Sequence, residues 1–335
     1  MKRSNFFTRY FKENGGIIIA LILLCIFFTI NSDAFLTRDN IINVLRQISM
    51  NGIIAVGLTY TLLVVGVDLS IGSVISASGC LAVLLLVKGV PLPFCFAAAL
   101  ILGMAVGVCN GSMISVIGIP PYIATLTTQT IVRGVAYAIT GGYPTMFDND
   151  TFYSMGNGYI GIIPIPVIIM FAVLFAASFV LNKTRHGRNM YAVGGNKEAA
   201  LFSGINNKKV IIISYVVSGC LAAVTGIIMM ARLSSGQPTA GEGMESDAVA
   251  AAVIGGTSMA GGIGKVGGTL IGALIIGVLN NGLNLMGVKF YWQYIAKGLV
   301  LGLALFIDIM KNNREISVKK MIEKLKPNAG VGGSA

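Results

Sequence analysis

Charge is what this 335-residue sequence has least of: 13 Asp and Glu and 24 Lys and Arg, or 11% of the chain. A water-soluble domain carries roughly 25%, so this chain cannot cover a water-facing surface. Histidine occurs once, at His186, and lies in a polar loop. One histidine leaves no nucleophile–base pair and no metal-ligand cluster, which sets enzymatic chemistry aside. The five cysteines (Cys25, Cys80, Cys95, Cys109 and Cys220) fall inside apolar runs with no CxxC pair. They read as small core residues, with no disulfide framework and no metal site.

What the sequence has instead is apolar length. Hydrophobic residues make 55% of it and the mean hydropathy is +0.82. A chain solvated by lipid must satisfy its own backbone hydrogen bonds, and helices do this locally. The weak ten-residue alternation of a membrane barrel is missing. Ten apolar segments are read at about 15–30, 48–66, 70–87, 94–117, 121–140, 164–181, 210–231, 247–261, 266–285 and 290–309. The expected fold class is therefore an all-α polytopic membrane protein with about ten transmembrane helices. Glycine interrupts 66–74 and 247–268, so those segments are expected to be broken or re-entrant. No small-residue cleavage site follows the first segment, which reads as a retained anchor. The expected division is an N-terminal segment 1–14, a membrane domain 15–309 and a basic tail 310–335. In the tail, Ile316 to Leu325 suits a short interfacial helix and 328–335 reads as disordered.

The net charge of +11 invites a nucleic-acid partner, but its distribution argues against one. With the N-terminus in the cytoplasm and ten alternating spans, seventeen of the 24 basic residues fall on the cytoplasmic side. They cluster in the N-terminal segment, the 182–209 loop and the tail. Four (Arg38, Lys88, Arg232 and Lys289) fall opposite, together with Asp33, Asp39, Asp148, Asp150, Glu242, Glu245 and Asp247. The positive-inside rule then places both termini in the cytoplasm. The 141–163 loop faces outward.

Several residues carry possible mechanism. Gly103, Gly107 and Gly111, and again Gly264, Gly268 and Gly272, recur every four residues, a spacing that lets helix backbones approach closely. The run from Gly255 to Val266 fails as a phosphate loop, because Met259 and Val266 stand where glycine and Ser/Thr are needed. Any ATP must therefore be used by a partner. Charges within spans mark functional candidates. Asp68 lies at the junction of two spans, where Asp68 or Ser70 is placed to cap a new helix. Arg133 lies mid-span and reads either as a gate or as a buried pair. Lys297 reads as snorkelling or as paired with Asn280, Asn281 and Asn284. Ser70, Ser73, Thr125, Thr128 and Asn281 are the polar candidates, with Asp68 and Arg133, for lining a pathway.

The 182–209 loop is the most specific feature. Asn196 follows two glycines and suits an N-cap, Glu198 suits the first turn, and Gly204 suits a terminator. Between them Lys197, Ala199, Ala200, Leu201, Phe202 and Ser203 make about two turns of helix. A helix this short is marginal alone. It packs either on its own bundle or into a groove of a soluble partner.

At these residues the sequence resembles the ribose-type permeases of bacterial ABC sugar importers. The resemblance runs over about residues 40–309. It rests on Thr184–Ile205, Gly66–Ser73, Pro120–Gly134 and the block from Gln237 to Leu285, with Gly66-Val67 before Asp68 a mild departure. It implies a bundle similar to that of the vitamin B12 importers and a homodimer of permeases with the pathway at its interface. It implies a helix 196–204 that couples to an ABC ATPase, usually a fused tandem one. It also implies a periplasmic or lipid-anchored sugar-binding protein, and no cofactor bound by the permease itself. A stand-alone secondary transporter or channel would usually carry more intramembrane carboxylates. A nucleoside or branched-chain amino-acid permease is a neighbouring possibility.

Overall fold

A computed structural model describes the backbone of residues 6–325 and the side chains of residues 15–310; the stretch 328–335, read above as disordered, lies outside the described residues. The chain is built from helices α1 (Phe6–Asn31), α2 (Arg38–Leu63), α3 (Ile71–Val87), α4 (Leu92–Ser112), α5 (Pro121–Thr140), α6 (Asp150–Asn157), α7 (Ile165–Lys183), α8 (Arg185–Gly195), α9 (Lys197–Phe202), α10 (Asn207–Leu233), α11 (Met244–Ile254), α12 (Val266–Leu285) and α13 (Phe290–Leu325). Two-residue strands β1 (Thr145–Met146) and β4 (Ser235–Gly236) pair antiparallel, as do β2 (Tyr159–Ile160) and β3 (Ile163–Pro164).

Among the described residues, six helical stretches are long and apolar enough to cross a bilayer: α2, α4 with its extension to Ile117, α7, α10, α12 and the first part of α13. The apolar part of α1, Gly15–Asn31, and α3 are shorter. The 247–261 segment yields the 11-residue helix α11 and then an irregular loop. Three boundaries differ from the sequence reading. α2 begins ten residues before the apolar run, because Arg38, Asp39, Asn40, Asn43, Arg46 and Gln47 hide its first turns from hydropathy. α1 starts within the 1–14 segment. The Ile316–Leu325 stretch is no separate helix but the unbroken continuation of α13 into the tail.

Helix starts follow from residue type. Proline sits in the first turn of α4, α5 and α7, where a missing N–H costs nothing. α4 ends in a π-helical turn, Met113–Ile117, closed by Gly118 in the left-handed region.

The core is centred on α2 and α10. α2 is buried without interruption from Ile48 to Leu63, and α10 packs along both it and α4. α4 and α10 run antiparallel: Gly103 lies against Gly219, Gly107 against Tyr215 and Gly111 against Ile212, each backbone to backbone. On the other side, Gly272 of α12 lies against Ala251 of α11, and Gly268 against Gly255, the residue that follows α11. Gly264 does not share in this. It lies two residues before α12 begins at Val266 and sits between the side chains of Thr257 and Leu63. Hydrogen bonds tie the helices across the core. Thr59 Oγ1 and Thr269 Oγ1 are 2.7 Å apart, linking α2 to α12. The Tyr60 hydroxyl donates to the Ala177 carbonyl of α7 at 2.9 Å.

Replacing Gly107 by leucine forces a side chain into the α10 backbone and should cost about 3 kcal/mol or more. Gly302→Ala, on α13 with open space around it, should raise stability by about 1 kcal/mol. Thermal unfolding of the two variants in one detergent checks both signs.

Candidate functional site

α2 stops inside the bundle, and seven residues separate it from α3. Its last turn is closed by Val64, Val65 and Gly66 N–H groups donating to the Thr61 and Leu62 carbonyls. Val65 takes φ of 61°, an outlier for a β-branched residue. The Val67 carbonyl then accepts from Thr125 Oγ1 of α5 at 3.2 Å and from the Tyr215 hydroxyl of α10 at 3.3 Å.

Asp68 is 1% exposed. Its Oδ1 accepts from the Ser70 N–H at 3.1 Å and the Ser70 hydroxyl at 2.6 Å, while its Oδ2 accepts from Ser218 of α10 at 2.8 Å. Asn110 of α4 donates to Ser70 Oγ at 2.9 Å, and Ser73 donates to the Ser70 carbonyl at 2.7 Å. A buried carboxylate needs such donors or an ion pair; here hydroxyls and a backbone amide supply them. Ser70 precedes α3, but its side chain does not cap the helix, because its hydroxyl is already bonded to Asp68. Asp68, Ser70, Ser73 and Thr125 are thus brought together, along with Asn110, Ser218 and Tyr215. The last three went unnoticed in the sequence, where uncharged polar residues inside apolar runs give a weak signal.

The other candidates lie elsewhere. Thr128 bonds within its own helix, to the Ala124 carbonyl. Among the described residues Arg133 has no acid partner within salt-bridge distance, and it donates to the Pro238 and Ala240 carbonyls at 2.7 and 2.8 Å. Asn281 exchanges two hydrogen bonds with Asn40, at 3.1 and 2.8 Å. Lys297 pairs with none of the asparagines; its Nζ lies 3.1 Å from Asp247 Oδ2, which also accepts from Asn280 at 2.9 Å. Glu245 and Asp247, counted with the outer loop from the sequence, occupy the first turn of α11 inside the bundle. Gln129 of α5 approaches Glu245 Oε1 at 3.4 Å, and Gly72 of α3 leaves room for its other oxygen.

At the end of the bundle where α2 stops, α8 and α9 form a surface step. Asn196 Oδ1 accepts from the Ala199 N–H at 2.9 Å, Glu198 sits in the first turn, and Gly204 follows with φ of 79°. Ala200 is 4% exposed and joins the core, whereas Leu201 is 60% and Phe202 90% exposed. A groove of about 590 Å3 beside α9 is lined by Ser115, Lys197, Leu201, Lys208 and Ile211. Beneath it, Gly194 of α8 lies against the Leu63 carbonyl, which accepts from the Gly262 N–H at 3.0 Å. The Tyr191 hydroxyl donates to the Gly264 carbonyl at 2.8 Å. Burial pushes the Tyr191 phenol above its ordinary range and the His186 imidazole below its own, so both are neutral at pH 7. α9 therefore stands on α8, α8 stands on the end of α2, and α2 leads directly to the Asp68 network.

The family described as "Branched-chain amino acid transport system / permease component" matches residues 40–307. A ribose import permease protein of Haemophilus influenzae is 46% identical over 91% of this chain and 96% of its own length. The corresponding protein of Escherichia coli K12 is 45% identical over 91% and 97%. A D-allose transport system permease protein of Escherichia coli is 37% identical over 90% and 93%. No solved structure matches the chain. A match over this span, on a bundle of apolar helices, establishes that the chain is a multi-pass membrane transport subunit and belongs to the family of permease components of branched-chain amino acid transport systems.

Proposed function

We propose that this chain is the membrane-spanning subunit of an ATP-driven importer that brings ribose or a similar monosaccharide into a bacterial cell. The observation that carries this is the 46% identity, over nine-tenths of both chains, to a protein named as a ribose import permease. The exposed Leu201 and Phe202 on α9, in a sequence with no Walker A loop, support an external ATPase. In this reading ten segments cross the inner membrane: α1 to α5, α7 and α10 to α13. α3 and α11 are short crossings, both termini are cytoplasmic, and the bundle is of the vitamin B12-importer type. Two copies form a homodimer with the pathway between them. An ABC ATPase, expected as a fused tandem chain, docks on α9, and an extracytoplasmic sugar-binding protein delivers the sugar. The permease binds no cofactor itself, because ATP is held by its partner.

The mechanism follows from the contacts. ATPase closure moves α9, and α8 passes the displacement to the end of α2 through Gly194 and Tyr191. The α2–α3 junction then shifts against α4, α5 and α10 through Asp68, Ser70 and Thr125. Specificity resides in the binding protein, so the pathway itself needs only weak polar contacts, which let the sugar leave.

Reconstitution tests the whole reading. Vesicles holding this chain, its ATPase and its binding protein should accumulate ribose only with ATP inside; uphill uptake by the chain alone would sink the proposal. Phe202→Asp alters a side chain with no structural duty here, so membrane insertion should be normal. Association with the ATPase should weaken about tenfold or more, the loss of one apolar anchor, as read by co-purification. Asp68→Leu strands three donors and should lower thermal stability by about 3 kcal/mol. Asp68→Asn keeps acceptors for Ser70 and should cost less than half of that in the same melt.

A further inference from the structure

The glycine-rich run from Gly255 to Val266 is no phosphate loop; it is a loop closed on itself. The Ser258 N–H donates to the Ile263 carbonyl at 2.9 Å, and the Gly261 N–H donates to the Ser258 carbonyl at 3.2 Å. The Ala260 N–H donates to Ser258 Oγ at 3.3 Å. Gly261 and Gly262 take φ of 84° and 69°, values that glycine adopts without strain. One side of this loop lies on α8 and the end of α2. Gly261 and Gly262 meet the backbone of Gly194 and Gly195, the Leu63 carbonyl accepts from the Gly262 N–H, and the Tyr191 hydroxyl donates to the Gly264 carbonyl. The other side faces α13. There Asp308 Oδ2 accepts from the Met259 N–H at 3.1 Å and from the Ser258 hydroxyl at 3.3 Å.

α13 has few other polar ties. Gln293 donates to Asn284 and to the Val288 carbonyl, and Lys297 pairs with Asp247. Both lie toward its start. Among the described residues, Asp308 makes the hydrogen-bonded tie of α13 at the end of the bundle where α9 stands. Packing there is incomplete. A cavity of about 330 Å3 lies beside the tie, lined by Gly16, Ile17, Ser258, Ile263, Ala304 and Asp308. Close-packed atoms pass on a displacement, whereas a gap has no partner atoms to do so.

From these contacts we propose that Asp308 is a positioning residue for transport: it carries the displacement of α8 and α9, through the glycine-rich loop, to α13. On the α8 side backbone meets backbone, so the loop moves with α8. On the other side one carboxylate oxygen holds both donors that the loop presents, and hydrogen bonds to a charged acceptor are the strong ones. α13 therefore follows α8 in step with the α2–α3 junction. This proposal rests on the importer reading and adds a further helix to its moving parts.

Two experiments test it. In vesicles holding the full complex, Asp308→Ala removes the acceptor. Maximal ribose uptake should fall about tenfold, the worth of one charge-assisted hydrogen bond. The concentration of sugar-loaded binding protein that gives half-maximal uptake should stay the same, and the ATP spent per sugar should rise by the same factor. Asp308→Asn keeps an acceptor oxygen for both donors and should bring uptake back to within about threefold of the parent chain. A role in stability alone would lower uptake and hydrolysis together and leave their ratio unmoved. Unchanged uptake in Asp308→Ala, an unmoved ratio, or no recovery in Asp308→Asn would overturn the proposal. The second experiment needs no transport. In the purified full chain, amide hydrogen exchange over 256–265 should quicken about tenfold in Asp308→Ala, with exchange over α3 and α10 unaltered. Equal exchange in the two chains would overturn the tie while the importer reading stands. Absence of ATP-driven uptake by the parent complex would instead strike the importer reading, and the role in transport with it, whatever the exchange shows.

Discussion

α2 breaks inside an apolar bundle, and the rest of the arrangement depends on where its freed backbone groups go. In water such a break is solvated; within a membrane bundle every N–H and C=O must find a protein partner. The chain meets this by bringing in three helices. Thr125 of α5 and Tyr215 of α10 donate to the Val67 carbonyl, Ser218 of α10 donates to Asp68, and Asn110 of α4 donates to Ser70. Asp68 is thus held without an ion pair. A cation there would have needed its own partners; the Ser70 and Ser218 hydroxyls serve the carboxylate instead. The network joins α2, α3, α4, α5 and α10 at one point and shares no side chain with the polar ties at the far end of α2, where Asn40 meets Asn281.

The close approach of α4 to α10 has the same origin. Lipid offers no hydrophobic drive to bring helices together, so contact comes from dispersion between backbones that glycine leaves bare. With Gly103, Gly107 and Gly111 on one helix and Gly219 on the other, α4 and α10 form a rigid pair. Asn110 sits between two of these glycines and so reaches Ser70. α9, by contrast, commits only Ala200 to the core and leaves two large apolar side chains outside. The chain spends its packing on the bundle and leaves the step at its end unpaired, which is the arrangement expected of a surface that a second protein covers.

Much of this was legible in the sequence where a residue type has one local meaning. Asn196 before Lys197 and Glu198, with Gly204 after Phe202, specifies a short helix through cap, dipole and left-handed terminator, and all of those effects lie within one turn. Proline at the starts of α4, α5 and α7 is equally local. Partners were not legible, because they depend on which helix lies opposite. Ser70 sits where a cap belongs, yet its hydroxyl is taken by a carboxylate two residues earlier. Lys297 lies within reach of three asparagines by helical spacing, yet bonds an aspartate fifty residues away, because α11 is short enough to place its first turn in the bundle rather than in the outer loop. Hydropathy missed the start of α2 for a related reason: Arg46, whose guanidinium is bonded to the Asn157 carbonyl and stacked on Tyr159, registers as polar although the fold accommodates it.

The short length of α11 also decides how its two ends are held. Here Met244–Ile254 ends at Gly255, and the loop to Lys265 is held instead by Leu63, Tyr191 and Asp308, all belonging to the end of the bundle where α9 stands. Its first turn is held by Lys297 and Asn280 from the opposite side. α11 and the loop after it are therefore held at both ends by α13, through Lys297 and Asp308, with alanines packed along the middle, Ala248 to Ala252. The polar contacts fix what α11 joins, and the alanine stretch lets the α12 backbone approach closely, with Gly272 against Ala251.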